Sequence, residues 1–346
     1  MDDKEFAGYL GNIFQNGLVM VSVGLGYELG FFKILTAATE PFSAEELASK
    51  LNFKERYTRE WLSCMVAAKI IHQNKETRLY TVPEEHKPAL RMSTGFAPII
   101  FNFGVRAERL KQCFQKDGPF GFDFDTEWFG WFNNYREGMA ENNVTSEILP
   151  LWEKQSGLIE KLEKGIRVLD VGCGTGNFIK ILAKKFPNSS FTGLDYCAGA
   201  IDMANKYKAE MGLQNLTLVQ GDAHNLPKEF NDTFDMVFMY DTLHDLPRPH
   251  QALQEVYNVL KNDGFLSLIE VRARSDPVDN AGDMVVAMYY AASMFICLAN
   301  SMTAEPHIGY GACWGVEEIQ KAVEESKFKI VATIPSGPKV FFVCTK

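Results

Sequence analysis

From residue 166 onward, short apolar runs alternate with amphipathic stretches: "IRVLDV", "FIKILAKKF", "SFTGLD", "AIDMANKYKAEMG", "LTLVQ", "FDMVFMY", "HQALQEVYNVL" and "GFLSLIEV". Strand-length runs separated by helix-length ones predict an α/β fold, a doubly wound, mostly parallel sheet whose chain returns through helices on both faces. Two further runs, "FKIVATIP" and "KVFFVCT", flank Ser336-Gly337-Pro338 and read as an antiparallel hairpin that completes a seven-stranded sheet. In such sheets ligands bind outside the carboxyl ends of the strands, so the residues that follow each strand are the candidates for a site.

The first strand runs directly into Asp170-Val171-Gly172-Cys173-Gly174-Thr175-Gly176-Asn177. Glycines at this density let a backbone pass close beneath a ligand. A dinucleotide fold would place its last glycine where Asn177 stands, and a phosphate-binding P-loop would continue with Gly-Lys-Ser/Thr, which is absent. Asp195 closes the second strand 25 residues after Asp170, where a carboxylate can accept both hydroxyls of a ribose. Taken singly, each acid also suits a helix N-cap or a solvated loop end.

Asp170-x-Gly172-x-Gly174-x-Gly176 resembles motif I of the class I S-adenosylmethionine (SAM) methyltransferases. That resemblance implies SAM as cofactor and a role for Asp170 in balancing or orienting its ammonium. It places Asp222 of "QGDAHNLP" at the adenine amino group, with the Ala223 backbone beside it, and Tyr196 joins the cofactor set next to Asp195. Tyr240, at the end of "FDMVFMY", falls beside the sulfonium in this topology, as does Asp241.

The fourth strand continues into "DTLHDLPRPH". His244-Asp245 resembles the His-Asp pair of winged-helix small-molecule O-methyltransferases, which implies that His244 acts as catalytic base. There the pair is usually followed by Trp, and here by Leu246, a departure that bears on the phenolic acceptor class. A histidine near neutral pKa suits proton removal from a hydroxyl or an ammonium, whereas a thiol needs a base less. A packing or capping role is the competing reading of His244. Tyr135 and Met139 of "WFNNYREGMAENN" stand four apart on one helix face, the spacing with which those enzymes cover SAM and acceptor; core packing is the alternative. Tyr289 and Trp314 are candidates for shaping an acceptor pocket.

Ahead of this domain, Ser43 and Glu46 form a capping box for "SAEELASKL", a second helix follows at "YTREWLSCMVAAKII", and "HQNKETRLYTV" reads as a wing. Helix, turn, helix and wing look like a winged-helix module over residues 1–95. Between residues 42 and 90 eight Lys or Arg face seven Asp or Glu, a net of +1, where a DNA reader needs a clearly basic face. Packing or dimerisation is the expected role, with a homodimer the candidate assembly. Residues 96–160 are rich in aromatics, "FGFDFDTEWFGWFNNY" above all, and read either as core or as the wall and lid of an apolar pocket. The SAM domain is placed at 161–346, with a helical pocket insertion around 280–312.

The net charge of −9 over 346 residues argues against nucleic acid and anionic membranes as partners and favours a small or cationic ligand. Seven scattered cysteines without a CxxC pair point to reduced thiols in the cytoplasm and carry no readable metal site. The acidic start, Asp2-Asp3-Lys4-Glu5, does not suit a secretory signal. The uncharged stretch at 284–304 is read as a buried helix lining a pocket rather than a membrane span. The chain is thus expected to be a SAM-dependent methyltransferase acting on an O, N or S atom of a small molecule. A SAM-binding transcriptional regulator and a protein methyltransferase are the alternatives.

Overall fold

The computed structural model describes residues 1–123, 126–155 and 157–346. Its chain separates into two units, Met1–Ala107 and Glu108–Lys346. In the first, α1 (Asp3–Glu28), α2 (Phe31–Ala37), α3 (Ala44–Leu51) and α4 (Glu55–Ala67) precede a two-stranded wing of β1 (His72–Gln73) and β2 (Tyr80–Thr81), with α5 (Lys87–Ser93) behind it. The expected capping box is present: Ser43 Oγ accepts from the Glu46 amide at 3.1 Å, and the Glu46 carboxylate accepts from the Ser43 amide at 2.7 Å. The wing strands pair antiparallel, His72 opposite Thr81.

Phe31, Phe32, Leu35, Leu47, Leu62 and Met65 close this unit's core around Trp61. The indole stacks on Phe31 with ring centroids 4.4 Å apart and donates its N–H to the Ser22 carbonyl at 2.8 Å. Gly26 of α1 lies so close that a Cβ there would sit 2.3 Å from the indole, so only glycine lets the two meet. On the outer side of α1, Phe6, Leu10, Ile13, Phe14 and Leu18 are exposed.

Helix α6 (Ile99–Cys113) carries the chain into the second unit. Of the aromatic run at 120–135, positions 124 and 125 lie outside the described residues. There follow α7 (Thr126–Asn143), α8 (Leu149–Glu153), α9 (Leu158–Lys164), β3 (Arg167–Val171), α10 (Ile179–Lys185), β4 (Ser190–Asp195), α11 (Ala198–Glu210) and β5 (Leu216–Gln220). The chain continues through β6 (Phe234–Tyr240), α12 (Pro249–Val259), β7 (Leu260–Val271), α13 (Met284–Phe295), α14 (Cys297–Ser301), α15 (Val316–Glu325), β8 (Lys329–Ser336) and β9 (Lys339–Thr345).

The sheet order is β5-β4-β3-β6-β7-β9-β8. The first five strands in that order run parallel, and β9 pairs antiparallel with both β7 and β8. Both faces are covered, as expected for strands read from near-continuous apolar runs. Leu169, Val171, Val237 and Met239 pack on one face with Ala252, Leu253 and Val256 of α12, while Val168, Met236 and Phe238 pack on the other with Ile179 and Leu182 of α10. The strand order reverses direction about β3, which opens a crevice at the carboxyl ends of β3, β4 and β6.

The stretch at 284–304 departs from the buried helix expected of it. It breaks at Ile296 into α13 and α14, and Met284, Val285, Met288, Tyr290 and Met294 of α13 are exposed. Its apolar residues run all round the helix, and Val286 and Ser293 are its buried positions, with Tyr289 packed beside them. Among the described residues no single helix is long and apolar enough to cross a membrane, although the bent pair α1 and α2 passes by length and composition.

Candidate active site

All three glycines of the loop after β3 adopt positive φ: 76° at Gly172, 54° at Gly174 and 73° at Gly176. The loop folds back on β4, with the Gly172 and Cys173 amides both donating to the Leu194 carbonyl, at 2.8 and 3.0 Å. Asp195 then ties the crevice together. Its Oδ2 accepts from the Gly174 amide at 2.8 Å and its Oδ1 from the Cys197 amide at the start of α11 at 2.9 Å. Burial pushes the Asp195 carboxyl up, and those backbone donors pull it back.

Asp170, buried at the end of β3, is pushed up to about 8 by desolvation and then by the Asp195 charge, with Arg136 opposing. Such a carboxyl regains its charge when a cation settles against it. Asn177, whose identity argues against a dinucleotide loop, is buried and donates to the Asn133 Oδ1 at 3.0 Å, and the Thr175 hydroxyl donates to the same oxygen. Helix α7 is thereby fastened over the glycine loop. A second tie runs from Lys180 Nζ to Glu137 at 2.9 Å.

At the end of β6, Asp241 takes a left-handed φ of 49°. Its carboxylate pairs with Lys339 Nζ at the start of β9 and with Arg136 at 3.4 Å. Burial opposes its ionisation, but the two cations outweigh that and hold its carboxyl below the usual range. Arg136 lies over the rings of Phe132, Phe178 and Tyr240, and Lys339 over those of Tyr240 and Tyr289. Burial and the Asp241 charge push the Tyr240 hydroxyl up to about 12. Tyr135, Tyr240 and Tyr289 thus fall in one electrostatic neighbourhood with Lys339. Met139, one turn on from Tyr135 in α7, is half-buried.

His244 sits in a short turn of residues Leu243–Asp245 and is 3 % exposed. The register Tyr240 opposite Ile269 brings Glu270 of β7, fully buried, beside it. The His244 Nδ1 pairs with one Glu270 oxygen, and the other accepts from the Leu243 amide at 2.9 Å. Burial disfavours a charged imidazole here, but Glu270 and then Asp245 more than offset it, so the ring holds its proton well above the ordinary histidine range. The Nε2 faces Asp245 Oδ1 at 3.4 Å and the Cys297 thiol. Two groups have their ligand atoms close enough to share a metal ion: His244, Asp245 and Cys297, and Asp241, His244 and Glu270.

The other sequence candidates are more dispersed. Asp222 is half exposed and its Oδ1 is held by His224, at 2.9 Å from the amide and 2.6 Å from Nδ1. Ala223 is buried in the core and Tyr196 is exposed. Trp314 stacks on Tyr310, centroids 4.1 Å apart, in the core beneath α12 and α15, and does not join the Lys339 and Tyr289 group. Asn133, Arg136, Glu270, Cys297 and Lys339 were missed by sequence reasoning. Glu270 had a signal, as the single charge in "GFLSLIEV"; a charge inside a buried strand needs a partner. The other four had none.

Residues 162–328 match a family model described as a methyltransferase domain, and residues 17–91 match an Rv2258c-like winged helix-turn-helix domain. Among curated proteins, the chain is 35 % identical over 133 residues to a demethylmenaquinone methyltransferase of Lactobacillus johnsonii, covering 38 % of this chain and 54 % of that protein. It is 33 % identical over 127 residues to one of Listeria monocytogenes, covering 36 % and 53 %. The chain spans about half the length of these relatives. Two solved structures share its fold. An O-methyltransferase family protein of Burkholderia thailandensis superposes with a TM-score of 0.70 at 12 % identity, covering 100 % of this chain and 98 % of that one. Human N-acetylserotonin methyltransferase, in complex with SAM, does so with 0.68 at 15 % identity, covering 100 % and 98 %.

Proposed function

We propose that this chain, which carries a class I methyltransferase domain behind an N-terminal winged-helix domain, moves the sulfonium methyl of S-adenosylmethionine to a hydroxyl of a small, largely apolar acceptor. The observation that carries the proposal is the buried His244 at the carboxyl end of β6, its Nδ1 held by Glu270 and its Nε2 turned to Asp245 and the Cys297 thiol.

The crevice suits the cofactor on its own evidence. Positive-φ glycines give close backbone approach, Asp170 is a desolvated acid awaiting a cation, and Asp195 is held at the strand end where a ribose would lie. Asp222, two residues past the end of β5, is the proposed partner of the adenine amino group, with Ala223 next to it and Tyr196, next to Asp195, also in the cofactor set. Bound there, SAM supplies an electrophilic methyl on a positively charged sulfur. The residues of this chain then have three tasks. Tyr135, Tyr240, Tyr289 and Phe178 surround the reaction with rings that exclude water. The Asp241 cluster with Lys339 and Arg136 fixes the end of β6, so that Tyr240 and the turn bearing His244 keep their places. His244 would take the acceptor hydroxyl's proton at Nε2, and Glu270 at Nδ1 would stabilise the imidazolium that results. Met139 stays in the proposed pocket set, and Trp314 remains a candidate only through the core it shares with Tyr310.

Asp195→Ala is expected to weaken SAM binding by more than about tenfold, since a buried group that accepts from both the loop and the ligand is lost. Isothermal titration calorimetry reads it, and unchanged affinity would sink the ribose assignment.

The seven cysteines are all free, which supports a reducing cytoplasm as the working compartment. The exposed apolar side of α1 supports a second copy of the chain as partner. The near-neutral charge of residues 42–90 favours neither nucleic acid nor an anionic membrane. The direct test incubates the protein with methyl-labelled SAM and a fractionated small-molecule extract. Label is expected in a low-molecular-weight product carrying a methyl ether. Label transferred to protein instead would overturn the proposal.

A further inference from the structure

We propose that His244, Asp245 and Cys297 form a binding site for a thiophilic divalent cation, zinc above all, at the Nε2 of the imidazole that the methyl-transfer reading uses as base. The ligand atoms of these three side chains all lie within 4.8 Å of one another. Tetrahedral zinc with His and Asp ligands needs an N to O separation of roughly 3.4 Å, from bond lengths near 2.0–2.2 Å. His244 Nε2 and Asp245 Oδ1 stand 3.4 Å apart. That distance is long for a charge-assisted hydrogen bond, and Asp245 Oδ1, though buried, has no hydrogen-bond partner among the described residues. A cation between the two gives Asp245 Oδ1 a partner and replaces the hydrogen bonds that the Cys297 thiol shares with both side chains.

Three further features fit such a site. The other ring nitrogen of His244 is held by Glu270, the carboxylate support that zinc-bound histidines almost always have. The Asp245 side chain and Cys297 are only partly covered, so an ion has a way in. Charge also balances: Zn2+ is matched by the Asp245 carboxylate and the Cys297 thiolate, with His244 neutral, and the protons given up by the thiol and the ring pass to solvent. The second group, Asp241 with His244 and Glu270, is unsuited because Lys339 and Arg136 already occupy the Asp241 carboxylate. Three protein ligands leave the fourth zinc position open.

An ion here takes the Nε2 lone pair, so zinc is an inhibitor of the proposed methyl transfer; this consequence, unlike the binding itself, rests on that reading. The test titrates Co2+ into the metal-free full-length protein. The expected result is one Co2+ per chain with a thiolate-to-cobalt absorption band, displaced by Zn2+. Cys297→Ser and Asp245→Asn are expected to lose the band, and Glu270→Gln to weaken binding by about tenfold or more. No band in the unmodified protein, or a band of equal strength in Cys297→Ser, would overturn the site. In the turnover assay, Zn2+ is expected to inhibit the unmodified protein at about one equivalent per chain, with a chelator restoring turnover. A chain that turns over no acceptor at all would refute the functional reading while leaving the absorption result intact.

Discussion

His244→Ala is expected to leave SAM affinity nearly unchanged while turnover falls by about a hundredfold or more, a loss of about 2.7 kcal/mol of transition-state stabilisation. Affinity is spared because the cofactor crevice is built by other groups: the glycine loop, Asp170 and Asp195. Turnover falls because a methyl acceptor must shed its proton, and no other base in the turn is held as His244 is by Glu270. The pH dependence follows from the same contact. The acting form is the unprotonated ring, and Glu270 and Asp245 raise the ring's proton affinity well above the ordinary histidine value. The rate is therefore expected to climb with pH as that proton is lost. Glu270→Gln removes the largest of the raising charges, so the rising limb shifts to lower pH and the plateau drops with the weaker base. Calorimetry for SAM and a pH series of turnover read both. Intact turnover in His244→Ala would make the residue structural and favour a thiol acceptor.

Gly172→Ala is expected to weaken SAM binding by about a hundredfold, from two costs that add. A left-handed φ of 76° costs a residue with a Cβ roughly 1–2 kcal/mol. The new methyl would also stand 2.2 Å from Thr242 Cγ2 and 2.6 Å from its Oγ1, and overpacking of that kind costs about 1–3 kcal/mol. Thr242 lies between Asp241 and His244, so relief of the collision moves the loop off Leu194 or moves the base. Gly174→Ala separates the two terms, for a Cβ there meets nothing within 4 Å and only the φ of 54° is penalised. It should lose about tenfold. The double variant Gly172→Ala/Thr242→Gly should recover the collision share alone. If Gly172→Ala binds SAM as tightly as the parent, the loop is not the cofactor cradle.

Much of the fold was legible because its signals are local. The runs "SFTGLD", "LTLVQ", "FDMVFMY" and "KVFFVCT" coincide with β4, β5, β6 and β9 to the residue, since each is a strand-length, apolar-rich run set between more polar or turn-forming neighbours. Ser43 with Glu46 marked the start of α3 in the same way, through a hydrogen-bond pair four residues wide. The stretch at 284–304 misled because apolar composition says how much surface a helix wants to bury, not whether a neighbour is there to cover it. Asn133, whose Oδ1 receives the Asn177 amide, sits 44 residues from it; Lys339 is 98 from Asp241. No periodicity reports pairs so far apart.

By itself, the sequence determined the order of strands and helices, the acids that end three consecutive strands, and the glycines that must turn between them, because backbone preference and burial act within a few residues. Tertiary structure alone decided what those acids and His244 become chemically. Asp170 turns into a weak acid only when packing strips its water and β4 sets Asp195 beside it, and His244 into a strong base only when β7 delivers Glu270 to its Nδ1. Cys297 becomes a candidate metal ligand only where α14 brings it to the same ring. Charges interact through space at a few ångströms whatever their separation along the chain, and that distance is a property of the packed fold.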